Sequence, residues 1–210
     1  MKICIYGAGA IGGWIGVGLA TAGERLNVVA RGATLEALQQ DGLSLMRGDL
    51  RTRVPVHAVA DPEALGVQDL VVVAVKAPAL AGVAERIGPL IGPDTVVLTA
   101  MNGVPWWFLE GGFGGPITGH RLAAVDPDGA IARAIPAAHV IGGVVHCSCS
   151  LDAPGVVRHH FGNGLIVGES PRARPRRACR SWWRCCSAPA STPRSRRRSS
   201  VTSGSSSGAT

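Results

Sequence analysis

Aromatic residues are scarce, nine in 210 or 4%, so the core of this chain is not built on stacked rings. The hydrophobic share is nevertheless 46%, and an Ala/Val/Gly/Leu-rich composition of that kind suits an α/β protein whose strands are small, branched and buried on both faces. Long uncharged apolar runs are missing as well. None approaches the roughly 18 to 20 residues of a membrane-spanning helix. The apolar stretch after Lys2 is broken at once by a glycine-rich turn, with no small-residue cleavage site behind it. No signal peptide is expected, and a cytoplasmic protein is the default. Zinc-like ligand spacing is also lacking: Cys147 and Cys149 have no second ligand pair to complete a site, and a Cys-x-Cys on a strand alternates onto one face, which reads as ordinary packing.

Acidic residues are absent from one region only. Residues 1–170 hold eleven Lys and Arg against all fourteen Asp and Glu, a net charge of −3, whereas residues 171–210 hold ten Arg and no acid. The overall charge of +7, which would otherwise point toward nucleic acid, therefore belongs to the last forty residues. That segment carries no apolar periodicity, and its Arg, Ser, Pro and Gly content predicts disorder. The expected organisation is one folded domain over residues 1–169 and an Arg/Ser/Pro-rich tail over 170–210.

Within the first 169 residues, apolar runs of four to six alternate with segments of helical period and glycine turns, the pattern of βαβ units around a parallel sheet. Strands are expected at Ile3 to Tyr6, Leu26 to Ala30, Leu70 to Val75 and Thr95 to Thr99. Helices are expected at Ile11 to Ala22, Thr34 to Gln40 and Ala79 to Ile91. Leu43 to Met46 and Arg53 to His57 resemble a hairpin or paired strands, and the run LVVVAV from Leu70 is apolar enough to be central. After the aromatic segment Trp106-Trp107-Phe108, the stretches Val140 to Cys147, Gly155 to His160 and Leu165 to Val167 read as strands extending the sheet. The fold class is a Rossmann-type, doubly wound, mostly parallel α/β sheet.

Gly7, Gly9 and Gly12 form G-x-G-x-x-G directly after the first strand and at the start of the first helix. In that context the first glycine permits the tight turn, the second lets backbone approach a pyrophosphate, and the third allows close packing of helix on strand. The whole turn, Gly7, Ala8, Gly9, Ala10, Ile11 and Gly12, is the candidate phosphate cradle, because a helix N-terminus presents N–H groups and partial positive charge to an anion. Where an acidic residue after the second strand would select NAD, this chain has VVARGAT, with Arg31 at the diagnostic place. A guanidinium there suits the extra phosphate of NADP, so NADPH is the expected cofactor. Lys76 and Asn102 follow two strands at their carboxyl ends, where open α/β sheets place ligands. Each taken singly is an ordinary solvated lysine or an Asn-Gly turn; together they mark a site near the nicotinamide. His146, His159 and His160 are read as structural, since neighbouring residues on a strand face opposite sides.

With these residues in place the chain resembles the ketopantoate reductase (2-dehydropantoate 2-reductase) family. The matching stretches are KICIYGAGAIGGWIG, VVARGATLEALQQDGL, DLVVVAVKAPAL, VVLTAMNGVPWW and GVVRHHFGNGLIVGE, which together cover about the first 170 residues in the family's order. The resemblance implies an N-terminal Rossmann domain followed by a C-terminal helical domain, and NADPH-dependent reduction of ketopantoate to pantoate on the route to pantothenate. By position it carries cofactor-binding roles to Gly7, Gly9, Gly12 and Arg31, and nicotinamide and substrate contacts to Lys76 and Asn102. The family's proton donor is a lysine of the helical domain, assisted by a glutamate; neither has a counterpart here, so the helical domain is expected to be absent. The tail supplies a reason. One encoding of its last ten residues, VTSGSSSGAT, read two bases later spells DVWFKLWGN, which is similar to the family's helix around that lysine. A frame change near residue 170 is therefore expected, with turnover impaired. Two alternatives stand beside this reading: a reductase of another 2-oxo acid on the same fold, and a non-catalytic nucleotide-binding protein with a basic tail. Oligomeric state is not legible, and neither nucleic acid nor membrane is an expected partner.

Overall fold

A computed structural model describes residues 1–169; the tail and its expected disorder lie outside the described residues. Nine strands form one sheet: β1 (Ile3–Tyr6), β2 (Leu26–Val29), β3 (Leu43–Arg47), β4 (Leu50–Val54), β5 (His57–Val59), β6 (Leu70–Val73), β7 (Val96–Ala100), β8 (Val140–Ala153) and β9 (Val156–Glu169). Their order is β4-β3-β9-β8-β7-β6-β1-β2-β5. The six from β5 to β8 run parallel, β9 returns antiparallel to β8, and β3 joins β9 in parallel with β4 at the edge.

The alternation of β1 explains the two-sided core. Ile3 and Ile5 enter one hydrophobic cluster, while Cys4 and Tyr6 enter the other, as the two-residue period of a strand requires. On the first side lie α1 (Ala10–Thr21) and α2 (Gly32–Asp41), with Ile15, Val17, Leu19 and Leu38 buried beneath them. On the second lie α3 (Leu80–Ala84) and α4 (Ala130–Ala134), with Leu80, Val83, Ile131 and the fully buried Trp106. Trp106 donates its indole N–H to the Ile135 carbonyl at 3.3 Å. The buried acid on this side is also satisfied: Asp126 accepts from the backbone N–H groups of Ile131 and Ala132 at 3.1 and 2.9 Å and caps α4. No helix among the described residues is long and apolar enough to cross a membrane.

Three expectations are corrected. Arg53 to His57 is not one strand: Pro55 interrupts it, Arg53 and Val54 pair with β3, and His57 starts β5 beside β2 at the opposite edge. Proline withholds the ladder donor that a continuous strand would need. Ala79 to Ile91 is not one helix but a 3-10 turn at Ala77–Ala79, the short α3, and a second 3-10 turn at Gly88–Leu90. Pro78 and Pro89 hold the first turns of those pieces, where a missing N–H is tolerated. Finally, the separate segments expected after Val140 are the two 14-residue strands of one long hairpin, with register irregularities between His146 and Ser148, Ser148 and Cys149, and Leu151 and Ala153.

Strand order fixes where a ligand binds. From β1 the sheet proceeds to β2 on one side and to β6 on the other. The carboxyl end of β1 is thus a topological switch point, the place where open α/β sheets leave a crevice. The turn that follows Tyr6 opens into that crevice.

Candidate functional site

Gly7 has φ +97°, and a Cβ placed on it would lie 2.6 Å from Val75 Cγ1, so backbone conformation and space both demand glycine. Gly12 demands it for proximity: its Cβ would stand 2.0 Å from the Gly7 carbonyl oxygen and 3.1 Å from Ala74 Cβ. Gly9 is the opposite case. It forms the N-cap of α1 with extended backbone, φ −73° and ψ −167°, and a Cβ there would meet nothing within 4 Å. The first helical bond runs from Gly13 N–H to the Gly9 carbonyl at 2.8 Å, and neither a capping side chain nor an acidic residue occupies the first turn. The leading N–H groups of α1 have no intrahelical partner, and they open onto free space at Gly9.

Two cavities meet at this turn. The larger, about 790 Å³, is lined by Gly7, Gly9, Ala10, Ile11, Lys76, Asn102 and the middle of β8. The smaller, about 190 Å³, is lined by Tyr6, Ala8, Arg31, Thr34 and Arg86, with Gly7, Gly9, Val75 and Leu151 common to both. The expected site residues are thereby brought together, with Gly12 alone standing behind the turn as a packing residue.

Arg31 caps α2 through its extended backbone and is exposed at the mouth of the smaller cavity. Arg86, which the sequence reading did not single out, joins it there while donating to the Ala60 carbonyl at 3.3 Å and pairing with Asp61 at 3.5 Å. Burial pushes the Tyr6 hydroxyl above its ordinary pKa, with Arg86 and Arg31 opposing the shift. Tyr6 is consequently a neutral donor over the neutral range.

Lys76 sits three residues past the end of β6, exposed at the start of the 3-10 turn. Asn102 is placed at the cleft but is already engaged: its Oδ1 accepts from Val145 N–H at 2.9 Å, and its Nδ2 donates to the Val145 carbonyl at 3.1 Å. The side chain thus acts as an additional bridge joining the end of β7 to β8. One amide hydrogen and one lone pair remain for a ligand.

Of the histidines, His160 contacts Ser150 Oγ at 2.9 Å and His159 contacts the Gly162 carbonyl, both within the hairpin. Cys147 and Cys149 pack against the hydrophobic cluster beneath α1, as expected of ordinary strand cysteines. They also border the larger cavity, together with Ser150 and Leu151. Nothing local in the sequence distinguishes a cleft-facing side of β8 from a core-facing one.

Residues 3–106 match the model of the family described as ketopantoate reductase PanE/ApbA. The chain is 49% identical over 178 residues to a 2-dehydropantoate 2-reductase of Mesorhizobium japonicum, covering 84% of this chain and 54% of that protein. A 2-dehydropantoate 2-reductase of Halobacterium salinarum is 30% identical, covering 80% and 49%. Among solved structures, 2-dehydropantoate 2-reductase from Geobacter metallireducens superimposes with a TM-score of 0.67 at 30% identity, covering 86% of this chain and 52% of that one. D-mandelate dehydrogenase, solved with NADH and anilino(oxo)acetate, shares the fold with a TM-score of 0.64 at 24% identity. The chain spans about half the length of the curated relatives it matches. In sequence and in fold, the domain described by residues 1–169 belongs to the ketopantoate reductase family.

Proposed function

We propose that this domain binds NADPH across the Gly7 to Gly12 turn and serves as the cofactor half of an enzyme that reduces the ketone of ketopantoate to the alcohol of pantoate. One observation carries the reading: at the switch point of the sheet, the unblocked N-terminus of α1 faces a void at Gly9 that joins the two cavities. The donor set fits a dinucleotide phosphate. Backbone N–H groups of the first turn of α1 would hold the pyrophosphate, Arg31 and Thr34 would hold the 2′-phosphate, and the larger cavity would take the nicotinamide half.

When bound, the reduced nicotinamide supplies a hydride equivalent to the substrate's carbonyl carbon. The chain's own residues supply the rest. Cationic Lys76 at the cleft favours negative charge developing on the carbonyl oxygen, and Asn102 keeps β8 in place as the cavity wall while retaining one donor for the ligand. The only other lysine of the chain is Lys2, at the far end of β1. The general acid is accordingly proposed to lie outside the described domain, and the 210-residue chain to bind nucleotide with little turnover. The basic tail is proposed to have no role in catalysis.

Titrating NADPH and NADH into the purified chain by calorimetry tests the cofactor assignment, with tighter NADPH binding expected. Equal or tighter NADH binding overturns it. A panel of 2-oxo acids, assayed with a chain extended by a relative's C-terminal half, tests the substrate; a preference for an acid other than ketopantoate would replace that part of the reading.

A further inference from the structure

Cys147 and Cys149 stand on one face of β8 with their sulfur atoms 3.2 Å apart. A disulfide bond would be about 2.05 Å, so this is a pair of free thiols. Both are half-buried, and both line the larger cavity. No group of three His, Cys, Asp or Glu among the described residues could hold a metal ion. The pair is a two-sulfur site with nothing to complete a tetrahedron.

Its bite selects the geometry of what it can bind. With bonds to sulfur of about 2.3 Å, a linear two-coordinate ion needs sulfurs about 4.6 Å apart, whereas a pyramidal centre with angles near 90° needs roughly 3.3 Å. The observed separation matches the second. We propose that Cys147 and Cys149 form a capture site for trivalent arsenicals, soft centres that bind two thiolates in a pyramid. With an arsine oxide, two As–S bonds form and two S–H bonds break. The arsenic oxygen leaves with both protons as water, and no electrons are transferred. Burial raises both thiols above the ordinary range, Cys149 to about 12. One-thiolate alkylating reagents therefore find little thiolate to attack, while a ring-closing reagent gains a second bond at the same site. Capture also puts the aryl-arsenic group in the cavity that Gly9 and Lys76 line. Competition with nucleotide follows from that placement, and this clause alone rests on the cofactor reading above.

Phenylarsine oxide added to the reduced, desalted 210-residue chain tests the site by intact mass and peptide mapping. One phenylarsenic group should map to the peptide holding both Cys147 and Cys149, and a small dithiol should remove it. Because the second bond is intramolecular, Cys147→Ser and Cys149→Ser should each weaken capture on the order of 100-fold. Mapping on the unsubstituted chain carries the test if a variant fails to fold. Adducts confined to Cys4, Cys179, Cys185 or Cys186, or undiminished capture by both folded serine variants, would overturn the proposal. Saturating NADPH should slow capture; unchanged capture under NADPH leaves the dithiol site standing and overturns the placement of the nucleotide.

Discussion

Gly9 and Gly12 sit three residues apart in one turn, and their substitution by alanine should have opposite signatures. At Gly9 the new methyl meets nothing within 4 Å, and an alanine for glycine exchange at an N-cap costs within about 1 kcal/mol. Gly9→Ala should therefore fold, with its midpoint lowered by no more than about 3 °C. Its methyl, however, occupies the space in which a pyrophosphate would approach the backbone. Loss of one charge-assisted hydrogen bond, at about 1.5 to 3 kcal/mol, weakens NADPH binding by about 10- to 150-fold, since 1.4 kcal/mol is a factor of ten. Gly12→Ala places its methyl 2.0 Å from the Gly7 carbonyl oxygen and 3.1 Å from Ala74 Cβ. Neither neighbour is the free end of a flexible side chain, so helix and strand must separate. Overpacking of this kind costs about 1 to 3 kcal/mol, a fall in Tm of roughly 3 to 9 °C for a domain of this size. Both stability and binding should drop. Paired thermal melts and nucleotide titrations read the contrast directly. A Gly9→Ala chain that binds NADPH like the parent, with its fold intact, refutes the placement of the phosphates.

Arg31→Ala should reduce NADPH affinity by roughly 10- to 100-fold through the lost phosphate contacts and leave NADH affinity unchanged, as measured by calorimetry; an equal loss for both cofactors would assign Arg31 to packing. Asn102→Leu leaves the Val145 N–H and carbonyl without their side-chain partner, a cost of about 1 to 3 kcal/mol; an unchanged urea midpoint would show that the bridge between β7 and β8 contributes nothing. Burial raises the Cys4 thiol from 9.0 to about 12, so above pH 9 the unfolded chain releases a proton that the folded chain retains. Stability should then fall between pH 9 and pH 12, and a smaller fall in Cys4→Ala, followed by urea melts across that range, is the expected result.

What the sequence revealed was local. The βαβ opening is legible because each of its signals is contained within a few residues: the apolar run Ile3 to Tyr6, the glycine spacing, and the cationic residue after β2. The far half of the sheet is legible as strands but not as pairings. β3 at residues 43–47 pairs with residues 156–159 of β9, over a hundred positions away, and no periodicity encodes that partner. His57 and Val54 lie three residues apart yet belong to opposite edges of the sheet, a separation signalled by Pro55 but not by hydrophobic pattern. At the site, Asn102 was recognisable by its position at a strand end, whereas its double hydrogen bond to Val145 was not, because that contact depends on where β8 docks. Cys147 and Cys149 show the same limit. Alternation puts them on one side of a strand, and only the curl of the hairpin decides whether that side faces core or cleft.

The face of the hairpin away from α1 has a practical consequence. Val144 and Ile166 are directly opposite in the β8–β9 ladder and are 48% and 59% exposed; Val104, Phe108 and Phe113 continue the same oily groove. A biosensor engineer who wanted this domain as a free-standing nucleotide probe would have to resurface that groove first. Paired Thr or Lys replacements at Val144 and Ile166 would be the natural start, since neither side chain belongs to the two buried clusters.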